Sequence, residues 1–505
     1  MPESLGQKSV SGATWAGVSR ISQQGLQTLS IAVLARLLSP GDYGVMAMGN
    51  FFVNFLQQLG DLGTGSAIIQ REELSPRLTS SLFWVNVGLG MFGALVLWAA
   101  APLAARYYHE PRVIAVLSVL ALAFPATGLG IVPESLLIRN MQYKKLCIAE
   151  VGSALLGASM SITLAWKGAG VWSLVAGSLT LTLSSSLMLW ILSAWRPLWL
   201  VDWQEIRSVF RYSMNLTGFV LINYFSRNAG HLIVGRYLGT AALGYYQMAY
   251  SLLMYPLQAL SSILGRVMFA ALSRIQSDRE RLRAVFLRYL TVLGAINVPV
   301  FLGLAIVAGP LVQVFLGARW LPVVPLITIL APIGILQAIS GPTGQIYLST
   351  GRTDVMFRFG LVSAVIQVLG YAIGVRWGLE GVVIGWGLVS IPVSVAGVVV
   401  SHRLIDSPLK ALGRNLVPVL ACSLGMGGAA FAWKTFVTSL AWRPSVVLFS
   451  TVAVGALTYV IVILIFRPAF GASLARILSY SGNSSLQRIG SLYLGPETAT
   501  SRPDE

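Results

Sequence analysis

The sequence predicts an all-α polytopic membrane protein, with about fourteen transmembrane helices forming two pseudo-symmetric six-helix bundles and two further C-terminal helices. Three observations predict it. The 505 residues are 55% hydrophobic and only 10% charged, with a mean hydropathy of +0.74, well outside the composition of a soluble chain. Apolar runs long enough to span a bilayer, about 20 residues each, recur from Trp15 to Phe466 with short interruptions. The chain also resembles itself at an offset of 200 residues.

Taken in order, the expected spans are 11–38, 44–69, 80–105, 113–137, 147–166, 170–194, 212–238, 243–265, 289–316, 322–348, 357–376, 381–402, 414–434 and 445–466. The opening "MPESLGQK" lacks a basic stretch followed by an apolar core and a cleavage site, so no signal peptide is expected. With the N-terminus inside, cytoplasmic segments hold 24 of the 35 Lys and Arg, external segments nine, and two (Arg20 and Arg227) lie within spans. The longest inner loop, Arg274–Arg288, carries five of the cytoplasmic ones. Both termini are therefore expected in the cytoplasm. The net charge of +17 follows from this asymmetry, with some left over for a cavity, and does not call for nucleic acid. The two cysteines, Cys147 and Cys422, and three isolated histidines make no metal cluster, and nothing points to a cofactor. External loops of about a dozen residues at most leave no room for a catalytic domain, so the protein is not expected to be an enzyme.

The repeat sets the domain organisation. "ARLLSPGDYGVMAMGN" (Ala35–Asn50) lies against "GRYLGTAALGYYQMAY" (Gly235–Tyr250), matching Arg36 with Arg236, Leu38 with Leu238, Gly44 with Gly244 and Met48 with Met248. "APLAARYY" (Ala101–Tyr108) answers "GPLVQVFL" (Gly309–Leu316), and "KGAGVWSLVAG" (Lys167–Gly177) answers "GLEGVVIGWG" (Gly378–Gly387). Six spans separate the copies, an even number, so both halves share one orientation. Two such bundles facing each other across a midplane site is a transporter design. The expected limits are 1–200 and 201–405 for the bundles, 406–466 for two additional helices, and 467–505 for a mobile cytoplasmic tail.

The first two spans of each half carry the polar residues. Arg20, Gln23, Gln24, Gln27 and Ser30 recur at three- and four-residue steps in the first, and Asn50, Asn54, Gln57, Gln58 and Asp61 in the second. Span seven offers Asn223, Ser226, Arg227, Gly230 and His231; span eight offers Gln247, Ser251, Tyr255, Gln258, Ser262 and Arg266. Interhelical hydrogen bonding accounts for any one of these taken singly. Four such faces in matching positions argue for a hydrated cavity, because lipid would leave their donors unpaired.

At 1.5 Å per residue, Arg266 is about 36 Å from its outer turn, Arg20 about 24 Å below Arg36, and Arg227 about 13 Å below Arg236. Three cations at these depths form a ladder suited to phosphate, which the planar guanidinium binds through two oxygens at once. A lipid-linked diphosphate fits it. Snorkelling to headgroups or pairing with a carboxylate is the alternative for each arginine. Asp61, at the position matching Ser261, has two readings: a cytoplasmic gate with Arg266, or a cap on the span end "GDLGTG" (Gly60–Gly65). His231 likewise reads as a proton sensor or as a hydrogen-bonded structural residue. Glu134 and Glu150, near the inner ends of spans four and five, are expected to be solvated by the cytoplasm.

Four blocks, "LGDLGTGSAIIQREELSPRLTSSLFWVNVGLG", "VPESLLIRNMQYKKLCIAEVGSALLGA", "GAGVWSLVAGSL" and "ALSRIQSDRERLR", occur in this order. They resemble the polysaccharide transporter family, which includes Wzx-type flippases and colanic acid exporter-like proteins of the multidrug/oligosaccharidyl-lipid/polysaccharide superfamily. The similarity runs from about residue 8 to 466. It implies a bacterial inner-membrane protein working by alternating access on oligosaccharide repeat units linked to undecaprenyl diphosphate. It also implies a cationic cavity lined by the first two helices of each half, with which Arg20, Arg227 and Arg266 are consistent. Implied partners are the lipid-linked oligosaccharide, membrane lipids, and a polysaccharide polymerase and chain-length regulator. The candidate cavity residues are Arg20, Gln24, Gln27, Asn50, Asn54, Asn223, Arg227, His231, Gln258 and Arg266, with Asp61 and Arg266 as the candidate gate. An ion-coupled antiporter of the same superfamily and a membrane-bound polymerase are the competing readings. The first needs acids in the cavity; the second needs a clustered acidic or histidine site.

Overall fold

The computed structural model describes residues 5–60, 64–71 and 73–466, with side chains throughout these except at 5–10, 13, 59–60, 203–223, 256, 258–264, 266–267, 270 and 466. Asp61 and the tail 467–505 lie outside the described residues.

Every regular element among the described residues is a helix. In chain order these are α1 (Leu5–Leu37), α2 (Pro40–Gly60), α3 (Thr64–Gln70), α4 (Pro76–Tyr108), α5 (Arg112–Leu120), α6 (Ala123–Arg139), α7 (Tyr143–Trp166), α8 (Val171–Ser193) and α9 (Trp203–Arg274). There follow α10 (Arg279–Leu311), α11 (Val323–Ser340), α12 (Thr343–Ser349), α13 (Thr353–Gly374), α14 (Gly378–Leu404), α15 (Leu409–Ser439) and α16 (Pro444–Phe466). Nine helices or merged helical stretches among the described residues are long and apolar enough to cross a membrane. The protein is therefore an all-helical, multi-pass membrane protein. α1 and α2, which bear candidate polar faces, are not among those nine.

Local sequence explains the helix ends. Ser75 caps α4 by accepting from the Leu78 amide at 3.0 Å, with Pro76 at the first helical position, where a missing N–H is no loss. Asp278 caps α10 in the same way, accepting from the Arg281 amide at 3.0 Å. Before α2, the Ser39 amide donates to the Asp42 carboxylate at 3.0 Å and the Asp42 amide donates to the Ser39 hydroxyl at 3.2 Å, a reciprocal cap of two orphan donors. The expected fourth and tenth spans are each interrupted. α5 passes into α6 at Ala121–Leu122, and α11 into α12 at Gly341–Pro342.

The chain divides into two compact units. One runs to Gln247 and takes in Phe315–Arg319; the other comprises Met248–Val314 and the chain from Trp320 onward. In the first unit α7 packs on α1 and α8, and α6 on α4 and α8. A core of Ile68, Leu78, Leu82, Phe83 and Val132 closes the end where α3 begins, ringed by Trp84, Trp190 and Trp195. The segment between α8 and α9 is strapped onto the start of α4. The Leu198 amide donates to Ser80 Oγ at 3.0 Å, the Asp202 amide to Ser81 Oγ at 2.8 Å, and Trp84 Nε1 to the Leu198 carbonyl at 2.8 Å. In the second unit α10 packs against α11, α15 and α16, and α14 against α11 and α13.

Within the first unit the two copies of the repeat meet at their turns. A Cβ on Gly44 would overlap the Thr240 carbonyl, and a Cβ on Gly244 would overlap the Pro40 carbonyl. Pro40 and Thr240 are themselves 200 apart, so the contact is reciprocal and pseudo-two-fold. The first turn is made by the Ser39–Asp42 cap. The second is made by Gly239, whose φ of 81° is open to glycine and strained for other residues. Replacing either Gly44 or Gly244 by alanine is expected to lower stability by about 1–3 kcal/mol through overpacking. Gly41→Ala, whose added carbon meets only ordinary contacts at 3.6 and 3.7 Å, is expected to leave stability within error. Thermal unfolding of the three detergent-solubilised variants checks this.

Candidate functional site

α1 is held to the first unit by a polar seam. Ser19, 3% exposed, donates its hydroxyl to Glu150 Oε2 on α7. Gln23, one turn on, donates its amide to the same carboxylate oxygen and to Ser19 Oγ, each at 2.9 Å. Glu150 is half-buried and near enough to Glu134 on α6 for the two carboxylates to repel. Glu150 is thus bonded into the helix packing, where the sequence suggested solvation. Gln23 leaves the stripe read from the sequence and joins this seam, while Arg20, Gln24 and Gln27 are exposed.

A second grouping joins α2 to the first half of α9 through aromatic rings. Phe51 and Phe55, one turn apart on α2, pack against Tyr224 with ring centroids 5.5 and 5.9 Å away, and against Phe225 at 5.9 and 4.9 Å. The Tyr224 hydroxyl donates to the Phe51 carbonyl at 2.6 Å. Asn50 and Asn54 each precede one of these rings by one residue; Asn54 is exposed and Asn50 partly so. Arg227, two residues beyond Phe225, is exposed, whereas Ser226 beside it is buried.

His231 sits one turn beyond Arg227 in a different environment. It is 7% exposed, its Nε2 lies 2.6 Å from Gln247 Oε1, and its ring meets Tyr246 edge-on at 5.1 Å. This hydrogen bond joins the two arms of α9 on either side of the Gly239 turn. The side chains of Asn223, Gln258 and Arg266, like Asp61, lie outside the described residues, so the candidate gate does too.

The end of the first unit at the C-terminus of α4 is fastened by Arg236. Its Nη1 donates to the Tyr107 carbonyl at 2.5 Å, its guanidinium lies 5.6 Å from the Tyr107 ring centroid, and it abuts His109 at 2.7 Å. Cation and carbonyl dipole suit each other at the C-terminus of α4. Beyond it Arg112 hydrogen-bonds Glu110 at 2.9 Å and holds that carboxyl below the usual carboxylate range.

Sequence reasoning missed Glu150 and the aromatic contact. An acid inside an apolar run is a signal in itself, and Ser19 with Gln23 at a four-residue step marked its partner face. Phe51 and Phe55 carried the same spacing, masked by the apolar run around them.

A family model described as "Polysaccharide biosynthesis protein" matches residues 33–325, more than half of the chain. The chain belongs to the polysaccharide biosynthesis protein family. Among similar family proteins, the Lipopolysaccharide biosynthesis protein WzxC of Escherichia coli (strain K12) is 28% identical over 395 residues, 77% of this chain and 80% of that protein. The Teichuronic acid biosynthesis protein TuaB of Bacillus subtilis (strain 168) is 24% identical over 476 residues, 94% and 99% of the two chains. The fold is that of the lipid II flippase MurJ in its inward closed conformation, with a TM-score of 0.71 at 14% identity, covering 91% of this chain and 99% of that one.

The contrast between Arg227 and His231 yields a test. His231→Phe removes a buried hydrogen bond and is expected to destabilise the protein by about 1–3 kcal/mol. Arg227→Ala, at an exposed position, is expected to leave thermal unfolding within about 0.5 kcal/mol of the native protein. Unfolding followed in detergent for both variants checks the difference.

Proposed function

We propose that this protein is a flippase that carries oligosaccharide repeat units on undecaprenyl diphosphate from the cytoplasmic to the periplasmic leaflet of a bacterial inner membrane. It serves the assembly of an exopolysaccharide, capsule or O-antigen, and works by alternating access without catalysing a reaction on its cargo. The proposed layout is fourteen spans, with bundles at 1–200 and 201–405, two further helices in 406–466 and both termini cytoplasmic. A polysaccharide polymerase and a chain-length regulator are its proposed partners.

The observation that carries this reading is Arg227. Its side chain is exposed on α9, and within the proposed seventh span facing hydrocarbon would cost about 2.5–3.5 kcal/mol on insertion scales. A wet face that receives an anion removes that penalty. Exposed Arg20, Gln24, Gln27 and Asn54 extend the same chemistry, cations for the diphosphate and amides for sugar hydroxyls. Asn50, Asn223, Gln258 and Arg266 complete the proposed face, Asp61 with Arg266 forms the proposed cytoplasmic gate, and His231 supports the face by holding the α9 turn. The names of the relatives, which speak of lipopolysaccharide and teichuronic acid biosynthesis, and that of MurJ, a lipid II flippase, support a saccharide carried on a lipid.

Deleting the gene separates this from its competitors. A flippase leaves completed repeat units trapped on the inner leaflet, a polymerase leaves them accumulating outside, and an ion-coupled antiporter leaves them unchanged. In the complemented strain, Arg227→Ala is expected to abolish export while the protein still inserts, and Arg227→Lys to retain part of it. Native-level export by the alanine variant would sink the assignment of Arg227 to the cargo.

A further inference from the structure

Outside its C-terminal end, where Leu34 and Ala35 are buried, α1 has little of the apolar anchoring that normally fixes a helix about its own axis. From Thr14 to Val33 Ser19 is its one buried residue. Hydrophobic packing, which sets the rotation of an ordinary amphipathic helix, therefore has little grip on this stretch. What it has instead is the pair of hydrogen bonds from Ser19 and Gln23 to a single oxygen of Glu150 on α7.

The faces of α1 are ordered around that seam. At about 100° per residue, Gln23 lies about 40° from Ser19, while Gln27, Arg20 and Gln24 fall between about 80° and 140°. Ile21, Val18 and Leu29, 75%, 44% and 66% exposed, fall between about 200° and 280°. One seam, one polar face and one apolar face thus follow each other around the helix. A turn of one residue's worth would carry Arg20 into the seam or toward the apolar side. The two donors on Glu150 oppose such a turn, because both sit on one face, a helical turn apart.

We propose that Glu150 is a positioning residue that sets the rotation of α1, and with it the direction in which Arg20, next in the chain to Ser19, presents its charge. The proposal rests on the flippase reading for its consequence, since Arg20 belongs to the proposed cargo face. The lock itself is a matter of helix geometry. Glu150 acts through its oxygen as an acceptor, not through its charge. A glutamine at 150 keeps a carbonyl oxygen with two lone pairs, enough to accept from both Ser19 and Gln23, whereas leucine keeps none.

The test uses the full-length chain in membrane vesicles, with single cysteines introduced at Gln24 or Ile21. Both native cysteines are buried, so they add little background. A charged, water-soluble thiosulfonate is expected to modify Gln24→Cys at least fivefold faster than Ile21→Cys. Adding Glu150→Gln is expected to keep that contrast, and Glu150→Gln alone to keep export. Adding Glu150→Leu is expected to reduce the contrast to less than twofold, and Glu150→Leu alone to lose export at native membrane abundance. Ser19→Ala, a smaller change, is expected to give an intermediate contrast and covers the case in which the leucine variant does not accumulate. Unchanged contrast in Glu150→Leu overturns the lock. So does loss of export in Glu150→Gln with the contrast intact, which would make the charge the contribution. If Arg20→Ala exports normally while labelling follows Glu150 as expected, the flippase reading of this face fails and the lock stands.

Discussion

The close approach of the two repeat turns at Gly44 and Gly244 is the constraint on which the rest of the first unit depends. Each glycine faces a backbone carbonyl of the other copy, so no side chain fits between them. Because the contact is reciprocal, it holds the start of α2 against the Gly239 turn and the start of the second arm of α9. Phe51 and Phe55 then meet Tyr224 and Phe225 further along the same helices, and the Tyr224 hydroxyl finds the Phe51 carbonyl. Arg227 follows two residues later. The clasp of Arg236 on Tyr107 and the His231–Gln247 bond hold the same turn from either side. Packing at two small residues in this way is the usual means of association in a membrane, where apolar burial gives helices no net drive to pair.

Polar groups inside the unit divide into two kinds. Ser19, Gln23 and Glu150, like His231 and Gln247, hydrogen-bond one another and serve to hold helices. Arg227, Gln24, Gln27 and Asn54 are exposed, and in the proposed spans such side chains require water or a ligand. The division gives a physical criterion for the proposed cargo face. It is drawn from residues whose hydrogen-bonding capacity the fold leaves open to the surroundings, while their neighbours a turn away lock the scaffold.

Much of this was legible in the sequence. Hydropathy gave the helical membrane class, and the 200-residue offset paired Gly44 with Gly244 before any contact between them was visible. Charge in an apolar run singled out Arg20 and Arg227. Other features were hidden for identifiable reasons. Gln23 and Gln24 read alike in a polar stripe, since periodicity cannot tell which side of the stripe meets another helix. Glu150 looked solvated because its partner lies 131 residues away. The breaks between α5 and α6 and between α11 and α12 left no trace in hydropathy, which averages over a turn. For His231 the sequence left two readings open, and its bond to Gln247 matches the structural one.

The central claim is that the protein moves a lipid-linked saccharide diphosphate across a bilayer. Purified full-length protein reconstituted into vesicles, with a polyprenyl-diphosphate-linked saccharide confined to one leaflet, measures this directly through exposure of the sugar to a membrane-impermeant oxidant on the other side. A flippase gives protein-dependent appearance of the sugar and competition by excess unlabelled polyprenyl-diphosphate saccharide. Sugar exposure no faster than in protein-free vesicles, with the protein folded and correctly inserted, would contradict that claim.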